Sequence, residues 1–171
     1  MTPILQVKNL QTHFFTKAGV LKAVDGVSFV NGEGEIVGLV GESGSGKSIT
    51  GFSILGLVDA PGRIVGGQIL FKGRDMTSIP PAEMQKLRGS RIAMIFQDPM
   101  MTLNPVLRIE TQMIESILTH DSSISKEEAR QRSRDTLGLV GISSPEERMR
   151  AYPHQFSGGM RQRVSIAIAM L

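Results

Sequence analysis

The chain has 171 residues, 40% of them hydrophobic and 20% charged, with a net charge of +3. That is the composition of an ordinary globular domain, or of a domain with a subdomain. No apolar run reaches the roughly 20 residues a bilayer span requires, and no basic-then-apolar leader opens the chain, so a cytosolic setting is the expectation. The absence of cysteine excludes disulfides and thiolate metal sites, and His13, His120 and His154 are too scattered to suggest zinc. Lysines and arginines are spread rather than interleaved with aromatics, so no nucleic-acid partner is expected.

In chain order, Leu5 to Phe15 and Leu21 to Val30 alternate or run apolar on either side of Lys17, Ala18 and Gly19, which predicts an antiparallel pair of strands. After a turn at residues 32–34, the run IVGLV from Ile36 is short, wholly apolar and bounded by glycines, the pattern of a strand buried on both faces. GESGSGKS follows, and then ITGFSILGLV with apolar residues at helical spacing. GGQILFKGRD reads as another strand, PAEMQKLRG as a short helix begun by proline and stopped by glycine, and RIAMIF as a second buried strand.

From Asp98 the character changes to helix and loop. Ser125 with Glu128 forms a capping-box pattern for a helix through about Val140, with Gly141 as its stop. Ser144, Pro145 and Glu147 open a second helix in the same way. A last helix starts at about Gly158 and becomes almost wholly apolar, through Val164, Ile166, Ala167, Ile168 and Met170.

The stretch Gly41-Glu42-Ser43-Gly44-Ser45-Gly46-Lys47-Ser48 matches G-x-x-x-x-G-K-[ST] between a predicted strand and a predicted helix. Glycines let successive backbone N–H groups point inward, and the helix dipole adds positive field, so the loop suits the phosphates of a nucleotide. Lys47 reaches the β and γ phosphates as a point charge, and the Ser48 hydroxyl ligates the magnesium that bridges them. A dinucleotide fingerprint is excluded, because no third glycine follows Gly44 and Gly46 at the proper spacing. The loop alone does not separate kinases, GTPases and transport motors.

Two further stretches separate them. IFQDP ends the RIAMIF run with Gln97, and FSGGM, Phe156 to Met160, places a serine and two glycines at a helix start. Together with the phosphate loop, these resemble the ATP-binding subunits of ABC transporters. Gln97 resembles that family's Q-loop glutamine, whose side chain touches magnesium or the attacking water. FSGGM resembles the signature usually written LSGGQ, with Phe156 and Met160 as departures. The resemblance implies that Ser157, Gly158, Gly159 and the Met160 position bind the γ-phosphate of an ATP held by a second ATPase subunit. Met160 cannot hydrogen-bond as glutamine does. The family also stacks an aromatic of its N-terminal strand on adenine. Phe14 fits best and Phe15 is second, although either also suits a strand core.

The implied fold class is α/β, a P-loop NTPase of the ABC ATPase type: a RecA-like core with an antiparallel β subdomain and a helical subdomain, incomplete. Residues 1–99 would carry the N-terminal part of the nucleotide-binding core with phosphate loop and Q-loop. Residues 100–171 would be the helical subdomain with the signature. The Walker B strand ending in Asp-Glu and the later switch histidine are absent, so the general base is missing. Asp98 does not replace that aspartate, because Gln97 intervenes and Pro99 follows. The chain therefore reads as a fragment that binds ATP and magnesium without hydrolysing ATP alone. An unpaired apolar sheet edge and a bare terminal helix face imply poor solubility for this stretch by itself.

KAVDGVSF, LGLVDAPGRIVGGQILFKG, IFQDPMMTLNPVLRI and SPEERMRAYPHQFSGGMRQRV resemble the D-type ATPase subunits of dipeptide and oligopeptide importers. The implied partners are a second ABC ATPase subunit, two membrane permease subunits and an extracytoplasmic peptide-binding protein. The implied location is peripheral, on the cytoplasmic face of the membrane, with Asp98 to about Ile109 facing the permease. Three alternatives stay open. A stand-alone nucleotide-binding module predicts a folded monomer. A non-transport ABC ATPase predicts coiled-coil heptads or a tandem unit. A different phosphate-loop kinase leaves Ser157 to Met160 without a role.

Overall fold

Residues 3–98 and 102–171 are described by the structure, a computed structural model. Strand β1 (Pro3–Thr16) and β2 (Gly19–Gly32) form a long antiparallel hairpin, and β3 (Gly62–Phe71) pairs with the other edge of β1. The two-residue β4 (Arg74–Asp75) closes the order β2-β1-β3-β4. The predicted hairpin and third strand are therefore present, in an all-antiparallel sheet. Its register shifts between Val7 and Leu10, where Asn9 takes a φ of 45° and its backbone N–H donates to Ser28 Oγ at 2.7 Å. The irregularity is thus satisfied locally rather than leaving a donor bare.

Helix α1 (Lys47–Ile54) packs on this sheet. Val7, Leu10, Val24, Leu55 and Ile69 are buried, each worth about 1.5–3 kcal/mol relative to exposure. Between them runs a polar link: the hydroxyls of Thr12 on β1 and Ser53 on α1 are both buried and 2.8 Å apart. Ser53 Oγ also lies 2.7 Å from the Ile49 carbonyl, so neither hydroxyl is stranded. Helix α2 (Pro81–Leu87) follows, begun by proline as expected.

The runs 36–40 and 91–96 are a correction. The sequence predicts buried strands there, but neither joins a ladder among the described residues, apart from one isolated bridge between Arg88 and Ile92. Ile36 is 98% exposed and Val40 93%. A fully apolar strand is stable only between neighbours that take its hydrogen bonds and cover both faces, and no described strand lies alongside.

The remaining elements are helical: α3 (Ile109–His120), α4 (Lys126–Leu139), α5 (Pro145–Met149), a 3-10 turn (Pro153–Gln155) and α6 (Gly158–Met170). Ser125 caps α4 as its spacing predicts, with its hydroxyl accepting from Glu128 N–H at 3.1 Å. Ser144 does not cap with its hydroxyl. It sits at a φ of 48° and accepts the Glu147 and Arg148 N–H groups on its carbonyl instead. The terminal helix is not bare, which corrects a second expectation. Val164 and Ala167 are fully buried with Leu103, Ile109, Met113, Leu137, Met149 and Phe156, and Ile168 and Leu171 pack against this cluster. Arg132 donates to the Leu171 carbonyl at 2.8 Å.

Packing divides the chain into two compact units, Met1–Gln85 and Lys86–Leu171. The expected division between residues 99 and 100 lies outside the described residues. Among the described residues, no helix is long and apolar enough to cross a membrane.

One charged cluster ties α3, α4 and α5 together. Glu146 accepts from Arg130, with Arg150 at 3.5 Å and Arg134 at 3.6 Å, while Arg130 also approaches Glu110 at 3.6 Å. The hydrogen bond from Arg130 holds the Glu146 carboxyl below the usual glutamate range. A depressed carboxyl stabilises the folded state above its ordinary range, and that stability is lost as pH falls through the depressed value. The melting temperature of the full-length protein should therefore drop between about pH 5 and about pH 3, and drop less in Glu146→Gln. Parallel melting curves for the two proteins across that range would refute this account.

Candidate functional site

The phosphate-loop residues all lie in the first unit. The loop joins the open run 36–40 to α1, and its curl is built from side chains as well as glycines. Ser45 N–H donates to the Glu42 carbonyl at 3.2 Å. The Lys47 ammonium donates to the Gly41 carbonyl at 2.7 Å, to the Glu42 carbonyl at 2.6 Å and to Ser45 Oγ at 3.2 Å. All three of its protons are thus spent on the loop's own oxygens, which gathers residues 41–45 around a cation.

Gly46 is the N-cap of α1, with a φ of 89° and no side chain to cap the helix. A Cβ there would stand 2.2 Å from the Ala23 carbonyl oxygen on β2. Glycine is required twice over, for its left-handed backbone and for the sheet that presses on it. At Gly41 the constraint is side-chain contact, since a Cβ would meet Ser45 Oγ at 2.5 Å.

The first N–H groups of α1 have no partner within the helix, no side chain caps them, and no acidic residue stands in the first turn. With Lys47 beside them, the chemistry is that of an anion site. Ser43, Gly44 and Ser48 are exposed around it. These features fit the triphosphate of a nucleotide. Among the described residues no group of three or more His, Cys, Asp or Glu could hold a metal ion. A cation here would depend on phosphate oxygens together with the Ser48 hydroxyl.

The two aromatic candidates occupy different environments. Phe14 is half-buried, its ring against Gly62, where a Cβ would lie 2.6 Å from Phe14 Cε1 and 2.8 Å from Val58 Cγ1. Phe15 is 39% exposed, with the Arg63 guanidinium 4.3 Å above its ring. One face of Phe15 is therefore already taken by a cation.

Gln97 and the signature residues lie in the second unit. Gln97 is exposed at the end of the open run 91–96, and the Gln162 amide of α6 reaches the Phe96 carbonyl next to it at 3.5 Å. Ser157 is the N-cap of α6, its hydroxyl accepting from Met160 N–H at 3.3 Å. Phe156 is 4% exposed and anchors the motif in the helical core, and Met160 packs against the same cluster. Methionine in place of glutamine thus serves the core here. Ser157, Gly158 and Gly159 are exposed, and a Cβ on either glycine would meet nothing within 4 Å.

Sequence reasoning did not find the Thr12–Ser53 link, the Ala23 carbonyl against Gly46, or the amides of Gln112 and Gln162. The available signal for the first was a hydroxyl residue among the apolar positions of a strand.

The sequence profile of the ABC transporter family matches residues 24–171. The oligopeptide transport ATP-binding protein AppD of Bacillus subtilis (strain 168) is 51% identical over 171 residues, covering 99% of this chain and 52% of that protein. The dipeptide transport ATP-binding protein DppD of Escherichia coli (strain K12) is 46% identical over 167 residues, covering 98% of this chain and 51% of that protein. The chain thus spans about half the length of the curated relatives it matches. Among solved structures, the ATP-binding cassette MJ0796, described as dimeric and bound to ADP and Pi in a post-hydrolysis state, superposes with a TM-score of 0.85. It is 27% identical, and the match covers 97% of this chain and 68% of that one.

Gly46→Ala should cost about 1–3 kcal/mol and weaken nucleotide capture, because strain and the Ala23 clash act together. Gly44→Ala, at a φ of 80° with nothing within 4 Å of its Cβ, carries the strain alone. Thermal melts and nucleotide titrations of the two full-length variants separate the contributions. Equal losses would remove the steric part of the account.

Proposed function

Because the chain belongs to the ABC transporter family, we propose that it is part of an ATP-binding subunit of an ABC importer, coupling ATP binding and hydrolysis to uptake of dipeptides, oligopeptides or a related small solute. The observation that carries the ATP-binding part of this reading is the 41–48 loop, curled around Lys47 at an uncapped helix start. Resemblance along the chain to peptide transport ATP-binding proteins supports the peptide branch. The proposed partners are a second ABC ATPase subunit, two membrane permease subunits and an extracytoplasmic peptide-binding protein. The proposed setting is the cytoplasmic face of the membrane.

In this reading the backbone N–H groups of residues 44–48 and the Lys47 ammonium take the β and γ phosphates. Lys47 already donates to loop carbonyls, so capture exchanges those neutral acceptors for charged ones and strengthens each bond. The Ser48 hydroxyl is an oxygen ligand for magnesium, which when bound neutralises charge on the phosphates. Phe14 is the proposed adenine contact, through stacking alone, and Phe15 is second because Arg63 covers one of its faces. Gln97 is proposed to orient magnesium or the attacking water, and the segment Asp98 to Ile109 to meet the permease.

Ser157, with the N–H groups of Gly158 and Gly159 at the start of α6, is proposed to bind the γ-phosphate held by the opposing subunit. Among the described residues nothing lies within 4 Å of a Cβ on either glycine, which suits close approach of another group. Met160 is turned to the core and contributes its backbone N–H at most. No residue of this chain is assigned as general base. The relatives are about twice as long, and the base is proposed to lie in the part they have beyond this stretch.

In the full-length protein, Lys47→Ala should lower turnover at least about a hundredfold, by analogy with loss of one preorganised oxyanion donor at about 3 kcal/mol. Undiminished turnover would sink the phosphate-loop assignment. Ser157→Ala should act in trans. When it is paired with a Lys47→Ala subunit, both lesions fall in one composite site and the ATP on the intact loop faces an intact signature, so activity should persist. Carried together on one subunit opposite a wild-type one, the two substitutions spoil both composite sites, one through its loop and the other through its signature, and turnover should be lost.

A further inference from the structure

The loop between Leu103 and Ile109 is held by one side chain. Gln112, half-buried on the first turns of α3, uses both ends of its amide on it. Its Oε1 accepts from Asn104 N–H at 2.8 Å, while its Nε2 donates to the Asn104 carbonyl at 3.1 Å and to the Leu107 carbonyl at 3.0 Å. Inside this clamp, Asn104 Oδ1 accepts from Val106 N–H at 3.1 Å, and the Asn104 carbonyl accepts from Leu107 N–H at 3.3 Å. Both ends of the loop are fixed as well: Leu103 is 2% exposed in the helical core, and Ile109 N–H donates to the Ala151 carbonyl at 3.0 Å.

The product of all this fastening faces outward. Val106 is 74% exposed and Pro105 is exposed beside it. Five hydrogen bonds and a buried leucine hold an apolar tip that makes no use of them in the core. Ordering a loop costs about 1–2 kcal/mol per residue, and that cost is removed from a binding event when the loop is ordered beforehand.

We propose that Gln112 is a positioning residue, whose amide sets the shape in which Pro105 and Val106 meet the membrane partner and so governs how partner binding is coupled to ATP turnover. The proposal rests on the transport-ATPase reading, since the tip lies in the segment assigned to the permease. The hydrogen bonds of the Gln112 amide go to Asn104 and Leu107, so it acts through the loop it holds.

The test uses the full-length subunit, alone and assembled with its membrane partners and substrate-loaded binding protein. Gln112→Met keeps length and apolar packing but removes every bond to the loop. Its basal ATPase and KM for ATP should match wild type, while stimulation by the assembled partners falls at least fivefold. Amide exchange at Val106 and Leu107 in the subunit alone should accelerate at least tenfold. Val106→Asp, which alters only the exposed tip, should lose stimulation with no change in exchange elsewhere or in melting temperature.

Exchange unchanged in Gln112→Met overturns the clamp itself, whatever the protein does. Faster exchange with full stimulation overturns the coupling role and leaves the transport reading standing. Proportional loss of basal and stimulated rates with a lower melting temperature means a general stability role, and also overturns it. Wild-type turnover indifferent to the membrane partners overturns the transport reading and the inference with it.

Discussion

The anion site depends on how firmly the start of α1 is pressed onto the antiparallel sheet. Two contacts do this, one at each end of the helix: the buried hydroxyl pair of Thr12 and Ser53 in its last turn, and the Ala23 carbonyl against the missing Cβ of Gly46 at its N-cap. A buried hydroxyl pair contributes little beyond its packing when satisfied, but stranding either member costs about 1–3 kcal/mol. It therefore selects one seating of the helix over near alternatives. The carbonyl then limits how the chain enters that helix, and the left-handed turn at Gly46 aims the following N–H groups out of the fold. Lys47 completes the arrangement by gathering the loop oxygens. The sheet, which holds none of the proposed phosphate ligands, is what makes the loop a rigid receptor.

The helical unit solves a different problem. Its core is formed by residues from the loop before α3, from α3, α4, α5, the turn before α6, and α6 itself, so no single helix pair would be stable alone. Glu146 and its arginines lie at the edge of that core and add orientation more than stability, because partly exposed ion pairs are still screened by solvent. Phe156 and Val164 bury the signature helix on one side. That burial fixes the direction in which Ser157 and the two glycines project.

What the sequence made legible was local. The cap at Ser125, the glycine-rich loop, the stop at Gly141 and the alternation of β1 and β2 are each decided within a few residues, and each is where its pattern predicts. The runs 36–40 and 91–96 carried an equally plain strand pattern, yet a strand is a relation between segments, and the described residues provide no neighbour for either. Contacts between distant positions were invisible for a related reason. Thr12 and Ser53 are 41 residues apart, and nothing in either neighbourhood specifies the other. The helical end was misjudged in the opposite direction: an apolar run that suggests a bare face is covered by α3 and α4, whose own apolar positions were legible only as separate stripes.

The signature residues divide along the same line between inward and outward constraint. Phe156 and Met160 are the departures from the signature that FSGGM resembles, and both side chains serve the helical core, where hydrophobic size matters more than hydrogen bonding. Ser157, Gly158 and Gly159 keep the pattern, and these are the exposed ones. Two glycines in a helix's first turn forgo up to about 1 kcal/mol each relative to alanine. Among the described residues no contact would forbid alanine at either position, since a Cβ would meet nothing within 4 Å. A glycine with open space where its Cβ would be leaves room for close approach of another group to backbone N–H. At Gly46 the fold itself enforces glycine; at Gly158 and Gly159 the open space suits the proposed approach of a γ-phosphate held by a second subunit.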